Sequence, residues 1–190
     1  MRVLAVFGSP RKNGNSARML EAALQTLPES AEIRRVYVAE KNIAPCCATR
    51  DCQTLGYCPV EDDMQQLYRD LDWAEVILFA TSSQFGDVSA PLKAFMERTW
   101  PLRGTLKNKI GGYVVAGRRY VESSINTLHA FMLRHNMILG GRGAIGYGYH
   151  EGDIENDPLA FEDARKMAKR VVEVYRLLCS GRMERPVAGG

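Results

Sequence analysis

The chain alternates short apolar runs with stretches of helical spacing from end to end, and that alternation leaves few folds open. Runs rich in apolar and β-branched residues stand at 3–7, 33–38, 75–80, 110–116 and 138–146. Between them the spacing predicts helices near 16–27, 62–72, 89–99, 121–136 and 158–179. Five strands separated by helices predict a parallel sheet with both faces covered, because parallel neighbours need a crossover connection. The last helix is the best marked. Asn156-Asp157-Pro158 supplies a cap and a proline suited to a first turn, and Leu159, Ala164, Met167, Val171, Val174, Tyr175 and Leu178 follow at helical spacing. No internal repeat or linker divides the chain. One domain over 1–180 is expected, with a flexible tail over 181–190 that carries Pro186 and a final Gly-Gly.

A chain of 190 residues, 46% hydrophobic and 25% charged, can bury a substantial core. Its net charge of +3, with no block of basic residues, gives no footing for nucleic-acid binding. About five apolar residues precede Gly8, too few for a secretory leader. No apolar stretch approaches the ~20 residues of a membrane span. A cytoplasmic protein with no membrane partner is therefore expected.

The first strand runs into Phe7-Gly8-Ser9-Pro10-Arg11-Lys12-Asn13-Gly14-Asn15-Ser16 and then into the first helix. Glycines permit tight turns, Ser and Asn side chains are short donors, and a helix start offers unsatisfied N–H groups and a favourable dipole for an anion. The Walker spacing is absent, and so is Gly-x-Gly-x-x-Gly. Two readings remain on these residues alone: a cradle for a mononucleotide phosphate, and a Ser/Asn-rich turn that only caps its own helix. In an open doubly wound sheet the ligand sits at the carboxyl ends of the strands. The segments that matter are then 8–16, 81–88, 117–121 and 147–156.

Gly8–Ser16 resembles the phosphate loop of the NADPH-dependent FMN reductase and iron–sulfur flavoprotein group of flavodoxin-like proteins. The resemblance continues at Phe85-Gly86-Asp87-Val88-Ser89-Ala90-Pro91-Leu92-Lys93-Ala94-Phe95-Met96-Glu97-Arg98. It recurs at Gly146-Tyr147-Gly148-Tyr149 and at Gly152-Asp153-Ile154-Glu155-Asn156-Asp157, so it spans nearly the whole chain. It implies a flavodoxin-like α/β fold, a five-stranded parallel sheet in the order 2-1-3-4-5, with noncovalent FMN and commonly a homodimer or homotetramer. Carried onto this chain, Ser9, Arg11, Asn13, Asn15 and Ser16 would hold the FMN phosphate. Ser82, Ser83, Gln84, Phe85 and Gly86 would line the isoalloxazine, and Gly117, Arg118 and Arg119 would approach its pyrimidine side. The family usually reads Ser-Pro-x-Tyr-Phe where this chain has Ser82 and Gln84 in place of the proline and the tyrosine. The implied activity is hydride transfer from NAD(P)H to the flavin and onward reduction of a quinone, flavin, azo or nitro compound, or protein acceptor. Its alternatives are an electron carrier that NAD(P)H does not reduce directly and a redox-responsive flavin-binding regulatory module.

Four of the five cysteines, Cys46, Cys47, Cys52 and Cys58, fall within thirteen positions. Clustered cysteines in a cytosolic chain suggest metal or redox chemistry more than a disulfide scaffold. Members of the family with a [4Fe–4S] cluster carry Cys-x2-Cys-x2-Cys and a fourth cysteine about six positions on. Here Thr49 occupies the second position, and Cys47 adjoins Cys46 instead. A cluster normally takes four thiolates, so cysteines without a cluster are the favoured reading. A cluster on Cys46, Cys47, Cys52 and Cys58, a three-cysteine cluster, a zinc site and a redox-active pair are the alternatives. Asp62-Asp63 reads as a helix cap and first-turn acid. No paired carboxylates or Ser/His/Asp order suggests a hydrolase, and a flavoprotein needs none because the cofactor carries the chemistry.

Overall fold

In the computed structural model, which describes residues 1–183, six short strands form one parallel sheet. They are β1 (Arg2–Phe7), β2 (Glu32–Tyr37), β3 (Val76–Ser82), β4 (Ile110–Gly117), β5 (Ile138–Leu139) and β6 (Ala144–Tyr147). The order is β2-β1-β3-β4-β5, and β6 also pairs with β4, beyond β5 along that strand. The helices are α1 (Asn15–Leu24), α2 (Asp51–Leu55), α3 (Met64–Trp73), α4 (Ala90–Glu97), α5 (Glu122–Arg134) and α6 (Pro158–Met183). Helix α6 runs to Met183, and residues 184–190, most of the expected tail, lie outside the described residues.

Both faces of the sheet are buried, which is why its strands read as continuous apolar runs. Along β1, Leu4 and Val6 face a core shared with Leu67 and Leu71 of α3, Leu92 and Phe95 of α4, and Leu128 of α5. Val3, Ala5 and Phe7 face the other core, with Met19 and Leu20 of α1 and Ala164, Met167 and Val171 of α6. The edge strand β2 is blunted by charge: Arg34 pairs with Asp70 at 2.7 Å and Arg35 with Glu21 at 2.9 Å.

The single fifth run expected over 138–146 is instead two strands, broken by Gly140-Gly141-Arg142-Gly143. The cause lies across the sheet. Tyr113 of β4 turns its ring under Gly143, where an added Cβ would stand 2.3 Å from ring carbons, and its hydroxyl bonds the Arg142 carbonyl. The backbone at Gly143 takes φ +77°, a conformation glycine alone adopts freely. Gly143→Ala is expected to destabilise the fold by about 2–3 kcal/mol, from overpacking and backbone strain together. Urea unfolding followed by circular dichroism checks this; a loss below about 0.5 kcal/mol would show that the ring has room to move.

Candidate functional site

The carboxyl ends of β1, β3, β4 and β6 open into a cleft of about 490 Å³. Each wall comes from a strand's own continuation. Gly8 leaves β1 with its N–H bonded to the Ala80 carbonyl at 2.7 Å, and a side chain there would strike Leu92 at 2.8 Å. Ser89, ahead of α4, is buried and donates its hydroxyl to the Gly8 carbonyl, and its N–H meets Thr81 Oγ1 at 3.2 Å. These contacts fix the first and second loops relative to each other.

Of the residues expected to bind cofactor, Ser9, Arg11, Asn15, Ser16, Ser82, Ser83, Gln84, Phe85, Gly86, Gly117, Arg118 and Arg119 all line this cleft. Asn13 does not; it is exposed, and its carbonyl accepts Arg18 Nε at 3.0 Å. Asn15 lines the cleft but uses its amide elsewhere. Its Nδ2 donates to the His150 carbonyl at 2.9 Å, and its Oδ1 accepts the Gly152 N–H at 3.0 Å. Asn15 therefore ties the start of α1 to the loop after β6. Asp153 stabilises that loop from the other side, accepting the N–H groups of Tyr149 and His150 at 2.9 and 2.7 Å. Those bonds hold its carboxyl below the usual carboxylate range.

At one end of the cleft the structure has the features an anion needs. Gly14 precedes α1 with no side-chain cap, so the first-turn N–H groups stand open beside Ser9, Arg11 and Ser16. Ser16 Oγ and Ser82 Oγ are buried with no partner among the described residues. A buried hydroxyl without a partner is costly, and of the three among the described residues, Ser16, Ser82 and Ser124, two lie on the wall of this cleft. No carboxylate lines that cleft, while three arginines do. Donors and cations with no competing acid fit a phosphorylated, planar, polar-edged group such as FMN.

Tyr120, Gly148 and Tyr149 also line the cleft and were missed as site residues. Tyr149 could have been found, since it follows a strand at the carboxyl edge and sits in a segment already singled out. Tyr120 likewise falls in the 117–121 segment beyond a strand end, though its left-handed backbone, φ +57°, is not something a tyrosine announces.

The cysteine segment lies elsewhere. Cys46 and Cys47 are exposed, and Cys52 and Cys58 are half-buried. Among the described residues no group of three or more His, Cys, Asp or Glu side chains could hold a metal ion. The four thiols as placed do not fit an iron–sulfur cluster. Cys46 and Cys52 border a hollow of about 660 Å³ between this segment, α4 and α5, larger than the cleft but touching none of the loops beyond the strand ends that form it. Among the described residues, no helix is long and apolar enough to cross a membrane.

Comparison with known proteins finds flavoproteins, including some named as iron–sulfur proteins although the thiols here do not converge. The chain is 35% identical to an iron–sulfur flavoprotein of Methanocaldococcus jannaschii, covering 94% of this chain and 99% of that one. It is 31% identical to an iron–sulfur flavoprotein of Methanosarcina thermophila, with 96% and 99% covered. In fold it resembles RosB, solved with a riboflavin-phosphate derivative bound (TM-score 0.78, 15% identity, 100% of this chain and 90% of that one). It also resembles an NAD(P)H:quinone oxidoreductase of Methanothermobacter marburgensis (TM-score 0.68, 17% identity, 90% and 96% covered). The family model for NADPH-dependent FMN reductase matches residues 1–150, the stretch that holds every strand and every wall of the cleft, and the chain belongs to that family of flavoproteins, with FMN and a reduced nicotinamide as its cofactors.

Proposed function

We propose that this protein is an FMN-dependent oxidoreductase that takes hydride from NAD(P)H and passes electrons to a quinone, flavin, azo or nitro compound, or a protein acceptor. The observation that carries the site assignment is the pair of buried, unpartnered hydroxyls, Ser16 and Ser82, on the wall of a cleft with three arginines and no acid. FMN supplies the redox chemistry when bound.

The chain's own residues bind, orient and polarise. Ser9, Ser16, Arg11 and the open N–H groups of α1 hold the phosphate, where the helix dipole adds to the arginine's charge. Asn15 positions this cradle through the 148–152 loop. Ser82, Ser83 and the Gln84–Asp87 turn support the ring. That turn is closed by two backbone bonds, Gln84 N–H to the Asp87 carbonyl at 2.8 Å and the reverse at 3.1 Å. Gly117 brings the backbone close to the second loop: an added Cβ would stand 2.9 Å from Ser83 Cβ. With Arg118 it favours negative charge on the ring's pyrimidine edge. Arg118 is oriented by the Tyr149 ring, 5.5 Å from its guanidinium carbon. Thr49 interrupts the cysteine pattern and the thiols do not converge, so no step passes through a cluster.

The test is a titration of the purified protein with FMN, followed by anaerobic mixing with NADPH. Micromolar or tighter binding and rapid bleaching of the flavin spectrum are expected, with iron and acid-labile sulfide at background. Binding no tighter than millimolar would overturn the site. Tight binding without reduction by either NADPH or NADH would leave an electron carrier in its place.

A further inference from the structure

We infer that the open side of the cleft selects planar aromatic acceptors carrying an anionic group, with Phe85 and Tyr120 gripping the ring and Arg119 holding the charge. This rests on the flavin reading above and adds to it the chemistry of the acceptor.

Phe85 and Tyr120 are two bulky aromatics with left-handed backbone, at φ +51° and +57°. Both line the cleft, on the loops after β3 and β4. Phe85 is fully exposed and Tyr120 is 75% exposed. Glycine would take either conformation without strain, and neither ring gains burial in return. Such strain persists where the surrounding structure enforces it, and it gathers at ligand clamps. Here the enforcement is visible. The two Gln84–Asp87 bonds close the turn around Phe85-Gly86. Ser83 reaches across to donate its hydroxyl to the Tyr120 carbonyl at 3.0 Å. Ser83 thus ties the strand end that leads into the Phe85 turn to the backbone of Tyr120, and what the two positions present to solvent is ring surface suited to stacking on another ring.

Charge narrows the choice further. Arg11 stands at the phosphate end and Arg118 lies over Tyr149. Arg119 lines the cleft exposed, with no side-chain hydrogen bond, ion pair or ring contact among the described residues. A planar guanidinium beside aromatic surfaces, with no carboxylate on the cleft wall, suits a sulfonate, carboxylate or phosphate on an aromatic nucleus. For a quinone the reaction balances as one NAD(P)H and one solvent proton converting quinone to hydroquinone and leaving NAD(P)⁺.

A redox-inert pair tests recognition apart from turnover. Naphthalene-2-sulfonate and naphthalene-2-sulfonamide, similar in shape and different in charge, are titrated by calorimetry into the oxidised, FMN-loaded protein. The sulfonate is expected to bind at least tenfold more tightly at low salt, the gap closing as ionic strength rises. Arg119→Gln is expected to abolish that gap. Phe85→Gly is expected to weaken both ligands about tenfold without lowering the melting temperature, a combination that a purely structural role for Phe85 would not give. Protein reduced with dithionite and mixed with anthraquinone-2-sulfonate should reoxidise at a rate that falls about tenfold in Arg119→Gln. Equal affinity for the two naphthalenes, or an unchanged ratio in Arg119→Gln, overturns the inference while FMN binding stands. A protein that takes up no FMN overturns both this and the flavin reading.

Discussion

Asp62→Ala is expected to cost about 3–5 kcal/mol of folding stability, the loss found when one partner of a buried ion pair is removed. The side chains of Arg98 and Asp62 are only 1% and 3% exposed, and they meet at 2.6 and 3.2 Å in a two-pronged contact. Arg98 also donates to the Ala44 carbonyl at 2.9 Å, and Asp62 accepts the N–H groups of Ala44 and Met64 at 3.0 Å each. The pair therefore clamps both ends of the 44–62 cysteine segment onto the end of α4. Without the carboxylate, a guanidinium stays buried with nothing to balance it. Urea unfolding measures the loss, and faster thiol labelling of Cys46, Cys52 and Cys58 would locate it. The double variant Asp62→Leu/Arg98→Met should recover much of the stability, since well-packed apolar replacements of buried pairs are often neutral. A single-variant loss below about 1 kcal/mol would mean that the pair behaves as a surface contact.

The same pair sets an acid limit. Burial alone would raise the Asp62 carboxyl, but Arg98 and the two N–H groups overcome it and hold it below the ordinary carboxylate value. A carboxyl held down in the folded state contributes fully above the unfolded value near 4 and loses that contribution as pH falls through the lowered one. Stability should therefore decline on acidification below about pH 4, and this slope should flatten in the double variant.

Gly14→Val is expected to weaken FMN binding at least about 100-fold, ~2.7 kcal/mol, with the fold intact. A Cβ at Gly14 would lie 3.0 Å from the Arg11 carbonyl, 3.1 Å from Arg11 Cβ and 3.4 Å from Ser9 Oγ, inside the cradle itself. The backbone there, φ −66° and ψ 170°, is extended and suits valine. The atoms it meets belong to the first loop, so valine displaces the Ser9–Arg11 turn that forms the cradle more than the helix. Ser16→Ala removes a single donor and should cost roughly tenfold. Flavin titration measures both, with the melting temperature as control. Valine binding FMN as tightly as glycine would place the phosphate elsewhere.

The parts of this molecule written locally were legible, and those made by distant contacts were not. Period and β-branching marked the parallel sheet, because strands buried on both faces must be apolar throughout. Composition left the first loop with two readings, an anion cradle and a turn capping its own helix, and only the folded chain shows that no side chain caps α1. The split between β5 and β6 was not legible. It comes from Tyr113 packing under Gly143, thirty positions away. Asp62 read as a helix cap, and it does accept the Met64 N–H, but its larger role is set by Arg98, 36 positions on. The cysteine cluster is legible as a cluster, but how its thiols are placed is not: among the described residues no three of them come together.

Asn15 has a consequence for time as well as for place. Its amide fastens the beginning of the chain's first helix to His150 and Gly152, 135 and 137 positions later. With FMN bound as proposed, its phosphate would lie beside two segments that this one amide joins. Release of FMN would then be slowed by hydrogen bonds that the phosphate itself does not make, and loosening the 148–152 loop would shorten the cofactor's residence.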